Sequence, residues 1–424
     1  MDKKKVGKNT KLWNEDFFLL WQGQLVSVFG DVIYIMALNF WILDVTGSTA
    51  LMGTLSALST LPRIILGPFA GVLVDRWDRK KFIVITDLIR GIFVTFVGIA
   101  ALLGFIKVWM VFVIGIISGI CSAFFNPAIQ SVRPDLVPES KLVQANSVSS
   151  LAQSGMNMIG SAIGGMIYIA IGAPYMFLFN GISYILSAFT ELFINIPRIE
   201  KCSKEITFKE DFKEGFRFLW YFKTLKKVFL CASAINLFFN AGMILFLPYS
   251  KEQVFLGPKR YGIAAATYSL GMLCASAFIT VRNIKQERKF IIYKVSILIS
   301  GILTLSITFI KSFPVLLIVI FIGFACNAVF NTIFDTMVTL IIPQDKRGKV
   351  FALMETLSMG LMPLGSLIGG VLGELIGITQ TMRVMFFMGL VTIFMLISIK
   401  EVKDLIFYDK HNESIEELVV RTNK

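Results

Sequence analysis

Histidine is nearly missing from this sequence of 424 residues, because His411 is its single occurrence. The cysteines are widely separated and show no paired spacing along the chain. Without histidine clusters or paired thiols, the sequence predicts no metal site, no haem attachment and no disulfide framework. A Walker-type phosphate loop is also missing, so the use of ATP is disfavoured. No cofactor is expected.

Charge is scarce as well, since charged residues make up 16% of the sequence against 55% hydrophobic residues. This balance excludes an ordinary soluble domain. Apolar runs of about 20 residues, long enough to cross a bilayer core of about 30 Å, recur along the chain. Because unsatisfied backbone groups are very costly in lipid, runs this long and this rich in Leu, Ile, Phe and Ala are expected to be helices and not barrel strands. The sequence therefore predicts an all-α membrane protein.

Twelve apolar runs are predicted to span the membrane. Lys and Arg concentrate in the connections that follow even-numbered runs, which predicts that both termini are cytoplasmic. This placement accounts for the net charge of +13 without nucleic acid, and anionic membrane lipids are the expected partners of the basic helix ends. The predicted spans are 17–43, 50–74, 82–104, 108–131, 142–171, 174–197, 225–249, 260–281, 290–310, 314–342, 350–376 and 382–400.

The chain contains an internal repeat. Residues 125–172 align with 330–377 without a gap, and the shared positions include Asn126, Pro138 and Lys141 as well as several glycines. Two parallel repeats of six helices are therefore predicted. The expected divisions are an N-terminal half at 1–197, a cytoplasmic charged linker at 198–224, a C-terminal half at 225–400 and a cytoplasmic tail at 401–424.

A charged stretch lies between the second and third predicted spans. It reads Gly71, three residues, Asp75-Arg76, two residues, then Arg79-Lys80-Lys81. This pattern resembles the loop signature of the major facilitator superfamily, with Asp78 at the position where glycine is usual. The resemblance implies a gating loop made of Gly71, Asp75, Arg76, Arg79 and Lys80. In it, Asp75 would meet a helix N-terminus or arginine side chains in one state and release them in the other.

The motifs Asn126-Pro127-Ala128 and Ala145-Asn146-Ser147 are similar to the branch that contains bacterial macrolide efflux proteins and drug–proton antiporters. The resemblance covers essentially the whole chain. It implies the major facilitator fold, with a substrate site near the membrane midplane between the halves and alternating access by rocking.

The fifth predicted span carries a row of small residues close to the motif associated with antiporters in this superfamily. Small residues at these spacings allow close helix packing, which is one interpretation, and an antiport-specific role is the other. Many drug antiporters also carry an embedded arginine in the fourth span, which this sequence lacks between Val108 and Ser131. The row consists of Gly155, Gly160, Ser161, Gly164 and Gly165.

Embedded charges are the candidates for proton coupling or substrate contact, because ionisable groups are costly inside a membrane. Asp31 is either a proton carrier and contact for cationic drugs or a hydrogen-bonded structural acid. Asp87 and Arg90 share one helix face, so an ion pair is expected. Asp335 or Glu355 is expected to face a cavity, whereas Glu374 is expected to be solvated. The candidates are Asp31, Arg63, Asp87, Arg90, Glu191, Asp335 and Glu355.

The leading functional hypothesis is secondary-active efflux of small lipophilic compounds, with macrolide-type drugs as substrates, in exchange for protons. The alternatives are an exporter of lysophospholipids or siderophores and a non-transporting membrane sensor or assembly partner. An enzyme is not expected, because the embedded acids have no nucleophile, metal set or histidine beside them. We expect a monomer in the bacterial cell membrane that binds no nucleic acid.

Overall fold

The computed structural model describes residues 12–76, 78–196, 217, 220–281, 286–342, 360–408 and 415–422, and every regular element in these ranges is helical. The all-α prediction is therefore confirmed for this part of the chain. The first twelve α-helices are α1 (Glu15–Thr46), α2 (Thr49–Arg76), α3 (Arg79–Leu102), α4 (Val108–Leu136), α5 (Leu142–Glu191), α6 (Lys223–Met243), α7 (Phe246–Glu252), α8 (Gly257–Val281), α9 (Gln286–Ser306), α10 (Phe313–Ile341), α11 (Met362–Ile376) and α12 (Ile378–Ser398). Two short helices follow, α13 (Val402–Ile406) and α14 (Ile415–Thr422).

Ten helical segments of the described chain are long and apolar enough to cross a membrane. α11 is apolar but shorter, with 15 residues. α5 is unusually long at 50 residues, and its backbone leaves the helical region at Gly172, where φ is 77°. Glycine adopts this conformation readily, and Pro174 then begins a new helical stretch. α5 therefore consists of two straight segments joined at Gly172.

The described chain divides into two compact units. The first unit comprises Met1–Asp44 and Leu58–Lys204, and the second comprises Val45–Ala57 and Glu205–Lys424. The first turns of α2 thus belong with the second unit. They lie against α11, where the Thr49 hydroxyl donates a hydrogen bond of 2.8 Å to the Gly370 carbonyl oxygen.

In the first unit, Gly160 and Gly164 of the small-residue row of α5 pack against α1, whereas the space beside Gly155 is open. A Cβ atom at Gly160 would lie 2.9 Å from Val32 Cγ1, and one at Gly164 would lie 2.9 Å from Met36 Sδ. These distances are shorter than ordinary van der Waals contact, so a larger residue at either position would require the Val32 or Met36 side chain to shift. These contacts hold α1, which carries Asp31, against α5.

The second unit repeats this contact in the same register. A Cβ atom at Gly365 of α11 would lie 2.6 Å from the Leu237 carbonyl oxygen, and one at Gly369 would meet the backbone of Ala241. Both glycines and both partners stand 205 residues after their counterparts in the first unit, which is the offset of the sequence repeat. The repeat therefore extends to the first helix of each half.

The connection between the predicted spans 50–74 and 82–104 is partly helical. Asp75 and Arg76 lie in the last turn of α2, and α3 already begins at Arg79. Asp78 explains the early start, because its carboxylate accepts hydrogen bonds from the backbone amides of Lys80 (3.1 Å) and Lys81 (3.4 Å). This is an N-cap, and aspartate is among the best residues for that role.

Asp78→Ala should lower the free energy of unfolding by about 1 kcal/mol, because the first turn of α3 loses its capping acceptor. Thermal unfolding of the purified protein in detergent measures the change. Asp78→Asn is the matched control, since its amide oxygen can still accept these hydrogen bonds. Equal destabilisation by both variants would contradict the capping role.

The predicted tail packs onto the second unit. Leu418 and Val419 of α14 are buried in a hydrophobic cluster that includes Phe222 at the start of α6. The Thr224 hydroxyl donates a hydrogen bond of 2.6 Å to the Thr422 carbonyl oxygen. The end of the chain is therefore part of the fold of this unit. His411 lies outside the described residues.

Candidate functional site

The buried charges of the first unit lie where α1, α3 and the second segment of α5 meet. Glycines allow the helices to approach closely there. A Cβ atom at Gly91 of α3 would lie 2.6 Å from Ile185 Cγ1, and one at Gly30 of α1 would lie 2.9 Å from Ser183 Oγ. The close packing keeps the polar groups between these helices shielded from solvent.

Asp87 and Arg90 form an ion pair within α3, and both are almost fully buried, at 0% and 4% exposure. Arg90 also donates hydrogen bonds to the Tyr184 hydroxyl (3.3 Å) and the Thr86 carbonyl oxygen (3.4 Å). Its guanidinium lies 4.4 Å from the ring centroids of both Phe125 and Tyr184. Two aromatic rings stabilise the cation in addition to the carboxylate.

Asp31 of α1 joins this network through α5. The Tyr184 hydroxyl donates a hydrogen bond to Asp31 Oδ1, and Asn180 Nδ2 donates a second one of 3.4 Å. A continuous chain of contacts therefore runs from Asp87 through Arg90 and Tyr184 to Asp31. Asp31 is only partly buried, so it is the accessible member of this chain of contacts.

Glu191 adds a third carboxyl group at the end of α5. It is 1% exposed, and Ser187 Oγ donates a hydrogen bond of 3.3 Å to its Oε1 atom. Glu191 also lies close enough to Asp87 and Arg90 to interact with them electrostatically. We call Asp31, Asp87, Arg90, Tyr184, Ser187 and Glu191 the acidic network.

The acidic network has more acids than bases, because three carboxyl groups share the one guanidinium of Arg90. One cation balances one carboxylate, and an uncompensated charge in a dry interior is very costly. The other carboxyl groups must therefore bind protons or meet a further cation. Chemically, the network is suited to exchanging a proton for a positively charged group.

Arg90 lies next to the fourth span, which carries no embedded arginine of its own. Although α4 carries no embedded arginine, its Phe125 contacts the guanidinium of Arg90 on α3. Cys121, one turn earlier on α4, also lies within electrostatic range of Arg90. A buried arginine thus reaches α4 from the neighbouring helix.

The second unit has no comparable network among its described residues. The buried polar side chains there are hydroxyl groups, and they come from Thr49, Thr224, Ser233, Ser250, Ser296, Ser300, Thr304, Thr308, Ser366, Thr381, Thr392 and Thr422. The 205-residue offset holds at the break before the last span, where Gly377 has a φ of 91° and corresponds to Gly172. In that register the counterparts of Asn180, Tyr184 and Glu191 are Met385, Gly389 and Leu396. The two units therefore share a packing scheme but differ in chemistry.

The other candidate charges lie outside the acidic network. Arg63 on α2 and Asp335 on α10 are exposed side chains, and Asp335 accepts a hydrogen bond of 2.7 Å from Thr339 through its backbone oxygen. Glu355 lies outside the described residues, as do the side chains of Asp75 and Arg76. Their predicted roles stay predictions.

Glu374 at the end of α11 is exposed, in line with the expected solvation, but it also makes specific contacts. Its carboxylate accepts hydrogen bonds from the Ser48 hydroxyl and from the Ala50 backbone amide (3.2 Å). Negative charge at the start of a helix is favourable, so Glu374 caps α2 from a distant part of the sequence.

Arg79 and Lys80, assigned to the gating stretch, hold the start of α3 to neighbouring elements of the first unit. Arg79 forms an ion pair of 2.9 Å with Asp135 near the end of α4, and it donates to the Ser131 carbonyl oxygen at 3.2 Å. Lys80 donates a hydrogen bond of 2.6 Å to the Leu192 carbonyl oxygen after α5. The stretch thus connects the ends of three helices.

The sequence reasoning missed the polar residues of α5 that connect the charges. Asn180, Tyr184 and Ser187 were missed, although together with the candidate Glu191 they recur every three or four residues in a largely apolar segment. That spacing places them on one helix face, and the polar row was the available signal.

Ten of the described helical segments can cross a membrane, and the fold matches that of a solved membrane transporter. The family model described as transmembrane secretion effector matches residues 8–423, and the chain belongs to that family. It is a multi-pass protein of the bacterial cell membrane and not an enzyme.

Relatives and solved structures agree with this assignment. The chain is 27% identical to macrolide efflux protein A of Streptococcus pyogenes over 377 residues, covering 87% of this chain and 92% of the relative. It is 24% identical to the staphyloferrin A transporter of Staphylococcus aureus, covering 89% and 92%. A crystal structure of the nucleoside transporter NupG matches its fold with a TM-score of 0.71 at 12% identity, covering 91% of this chain and 99% of that chain.

Proposed function

We propose that this protein is a secondary-active exporter that moves lipophilic, positively charged compounds of the macrolide type out of the cell in exchange for protons. The observation that carries the proposal is the excess of acid in the acidic network, where three carboxyl groups share one guanidinium. The similarity to a macrolide efflux protein supports the choice of substrate class.

Exchange would occur at Asp31, which is partly exposed while Asp87 and Arg90 are buried. A cationic substrate near Asp31 favours the charged carboxylate and so releases the proton. After the substrate leaves, the same carboxyl group favours its neutral form, because an isolated charge is costly inside the membrane. Substrate and proton therefore compete for one group, as antiport requires.

The proposal includes twelve membrane spans in two six-helix repeats, with both termini in the cytoplasm. The break at Gly172 supports two spans within α5, and α11 lies within the predicted span 350–376. The basic residues that follow even-numbered spans support the orientation. We further propose that the protein acts as a monomer and alternates access by rocking of its halves.

Under this proposal, the stretch around Gly71 and Asp75 is a gate that changes contacts during rocking. The ion pair of Arg79 with Asp135 supports this role, because it ties the start of α3 to the end of α4. The small-residue row of α5 would contribute by holding α1, which carries Asp31, against α5.

Siderophore export is a second candidate function, favoured by the similarity to the staphyloferrin A transporter. The electrostatics distinguish the two candidates. An acidic site attracts positively charged substrates and disfavours negatively charged ones. We therefore rank the lipophilic cation first.

The test measures erythromycin, a macrolide with a basic amine, in a drug-sensitive bacterium that produces the protein. Cells with the protein should accumulate less erythromycin than cells with an empty vector, and a protonophore should remove the difference. Membrane fractions confirm that the protein is present. Equal accumulation with and without the protein would reject the macrolide assignment, and a difference that survives the protonophore would reject proton coupling.

A further inference from the structure

Glu191 lies at the opposite end of the acidic network from Asp31. It is the last residue of α5 and is 1% exposed, whereas the next residue, Leu192, is 52% exposed. Tyr184 donates a hydrogen bond to Asp31. At a helical rise of about 1.5 Å per residue, Glu191 lies about 10 Å from Tyr184 along α5. The network thus extends from the middle of the first unit to the end of a helix.

Two buried carboxyl oxygens of the network have no hydrogen-bond partner among the described residues. They are Oε2 of Glu191 and Oδ2 of Asp87. Buried polar atoms are nearly always paired, so exceptions call for a functional explanation. An oxygen that accepts no hydrogen bond is free to accept a proton.

Ser187 lies beside both carboxyl groups. Its hydroxyl donates to Glu191 Oε1 at 3.3 Å, and Asp87 on α3 is close to the same side chain. A hydroxyl can accept a proton on its oxygen while its own proton passes to a carboxylate, so it conducts a proton without net change. Ser187 is placed to do this between Asp87 and Glu191.

Packing does not explain why an acid occupies position 191. Its counterpart in the second unit, Leu396, is fully buried near the end of α12. An apolar side chain is therefore compatible with the equivalent helix end. The carboxyl group of Glu191 must serve a purpose other than filling space.

We propose that Glu191 is the group through which the acidic network exchanges its proton with the solution at the α5 end, and that Ser187 passes the proton between Glu191 and Asp87. This inference rests on the proposed proton-coupled export. The proton leaves the Asp87 carboxyl group for the Ser187 oxygen as the Ser187 hydroxyl proton moves to the Glu191 carboxylate. Glu191 then releases it, and uptake follows the reverse order.

Other charged groups surround this end of the unit. From α3, the charges of Asp87 and Arg90 act on Glu191 electrostatically, and Lys80 donates a hydrogen bond to the adjacent Leu192 carbonyl oxygen. From α1, the Asp16 carboxylate accepts a hydrogen bond of 2.9 Å from the Asn195 backbone amide. Lys80 and Asp16 therefore form hydrogen bonds with the backbone that follows Glu191.

The experiment separates proton movement from substrate movement in proteoliposomes that contain the purified protein. Uptake of erythromycin driven by a pH gradient requires proton exchange, whereas erythromycin exchange at equal pH does not. In Glu191→Gln, gradient-driven uptake should fall about tenfold or more, while equal-pH exchange stays within about twofold of wild type. Ser187→Ala should slow gradient-driven uptake in the same direction, and Ser183→Ala on the same helix should not.

Glu191→Leu, which installs the residue of the second unit, is the control for folding and should show the same separation. Gradient-driven uptake by Glu191→Gln at the wild-type rate would overturn the role of Glu191 alone. Loss of equal-pH exchange in Glu191→Gln would also overturn it, since the residue would then act on the substrate or the fold. A wild-type protein that ignores the pH gradient would overturn the proposed function itself.

Discussion

Proton-driven efflux of erythromycin is expected to fall to about 1% of the wild-type rate or less in Asp31→Asn, because the amide cannot carry the proton. The variant should still fold, since an asparagine side chain fits the same space and keeps an oxygen for the Tyr184 hydroxyl. Gradient-driven uptake in proteoliposomes measures the loss. Size-exclusion chromatography in detergent measures the folding.

Asp335→Asn is the matched comparison for this prediction. Asp335 also lies within a predicted span, but it is exposed on α10 and belongs to the second unit. We expect this variant to keep most of its gradient-driven uptake. Full activity in Asp31→Asn together with loss in Asp335→Asn would move the coupling group to the second unit.

Arg90→Gln is expected to lower the free energy of unfolding by roughly 3–5 kcal/mol, because it leaves buried carboxyl groups without their cation. Asp87 is fully buried and has Arg90 as its ion-pair partner. The substitution also removes the cation that contacts the rings of Phe125 and Tyr184. Thermal and denaturant unfolding in detergent measure the change.

The double variant Arg90→Gln with Asp87→Asn tests the cause of that loss. If the uncompensated carboxylate is responsible, neutralising Asp87 should restore a large part of the lost stability. Such recovery corresponds to a coupling energy between Arg90 and Asp87 well above the deviation of about 0.5 kcal/mol that independent sites show. Strictly additive losses would show that Arg90 acts through packing and not through its charge.

The fold could be predicted from the sequence because its main determinants are local or repeated. Apolar runs of membrane-spanning length and the 205-residue repeat are visible without any knowledge of contacts. The boundaries were less accurate at the start of α3, where the cap at Asp78 brings Arg79 and Lys80 into the helix. A capping residue changes the helix end without altering the hydropathy pattern.

The acidic network could be predicted only in part. The spacing of Asp87 and Arg90 indicated a shared helix face, and Asp31 and Glu191 were recognised as costly charges. Their meeting could not be read from the chain, because it depends on the rotation and depth at which α1, α3 and α5 pack. Glycines at the helix contacts set that geometry, and their partners lie far away in the sequence.

The constant 205-residue offset also has an evolutionary consequence. Since Val32 and Met36 correspond to Leu237 and Ala241, the counterpart of Asp31 is Asn236. Codons for aspartate and asparagine differ by a single base. One point mutation in either half of the gene is therefore enough to interconvert the acid and the amide, and natural variants with the charge in both halves or in neither are within easy reach of selection.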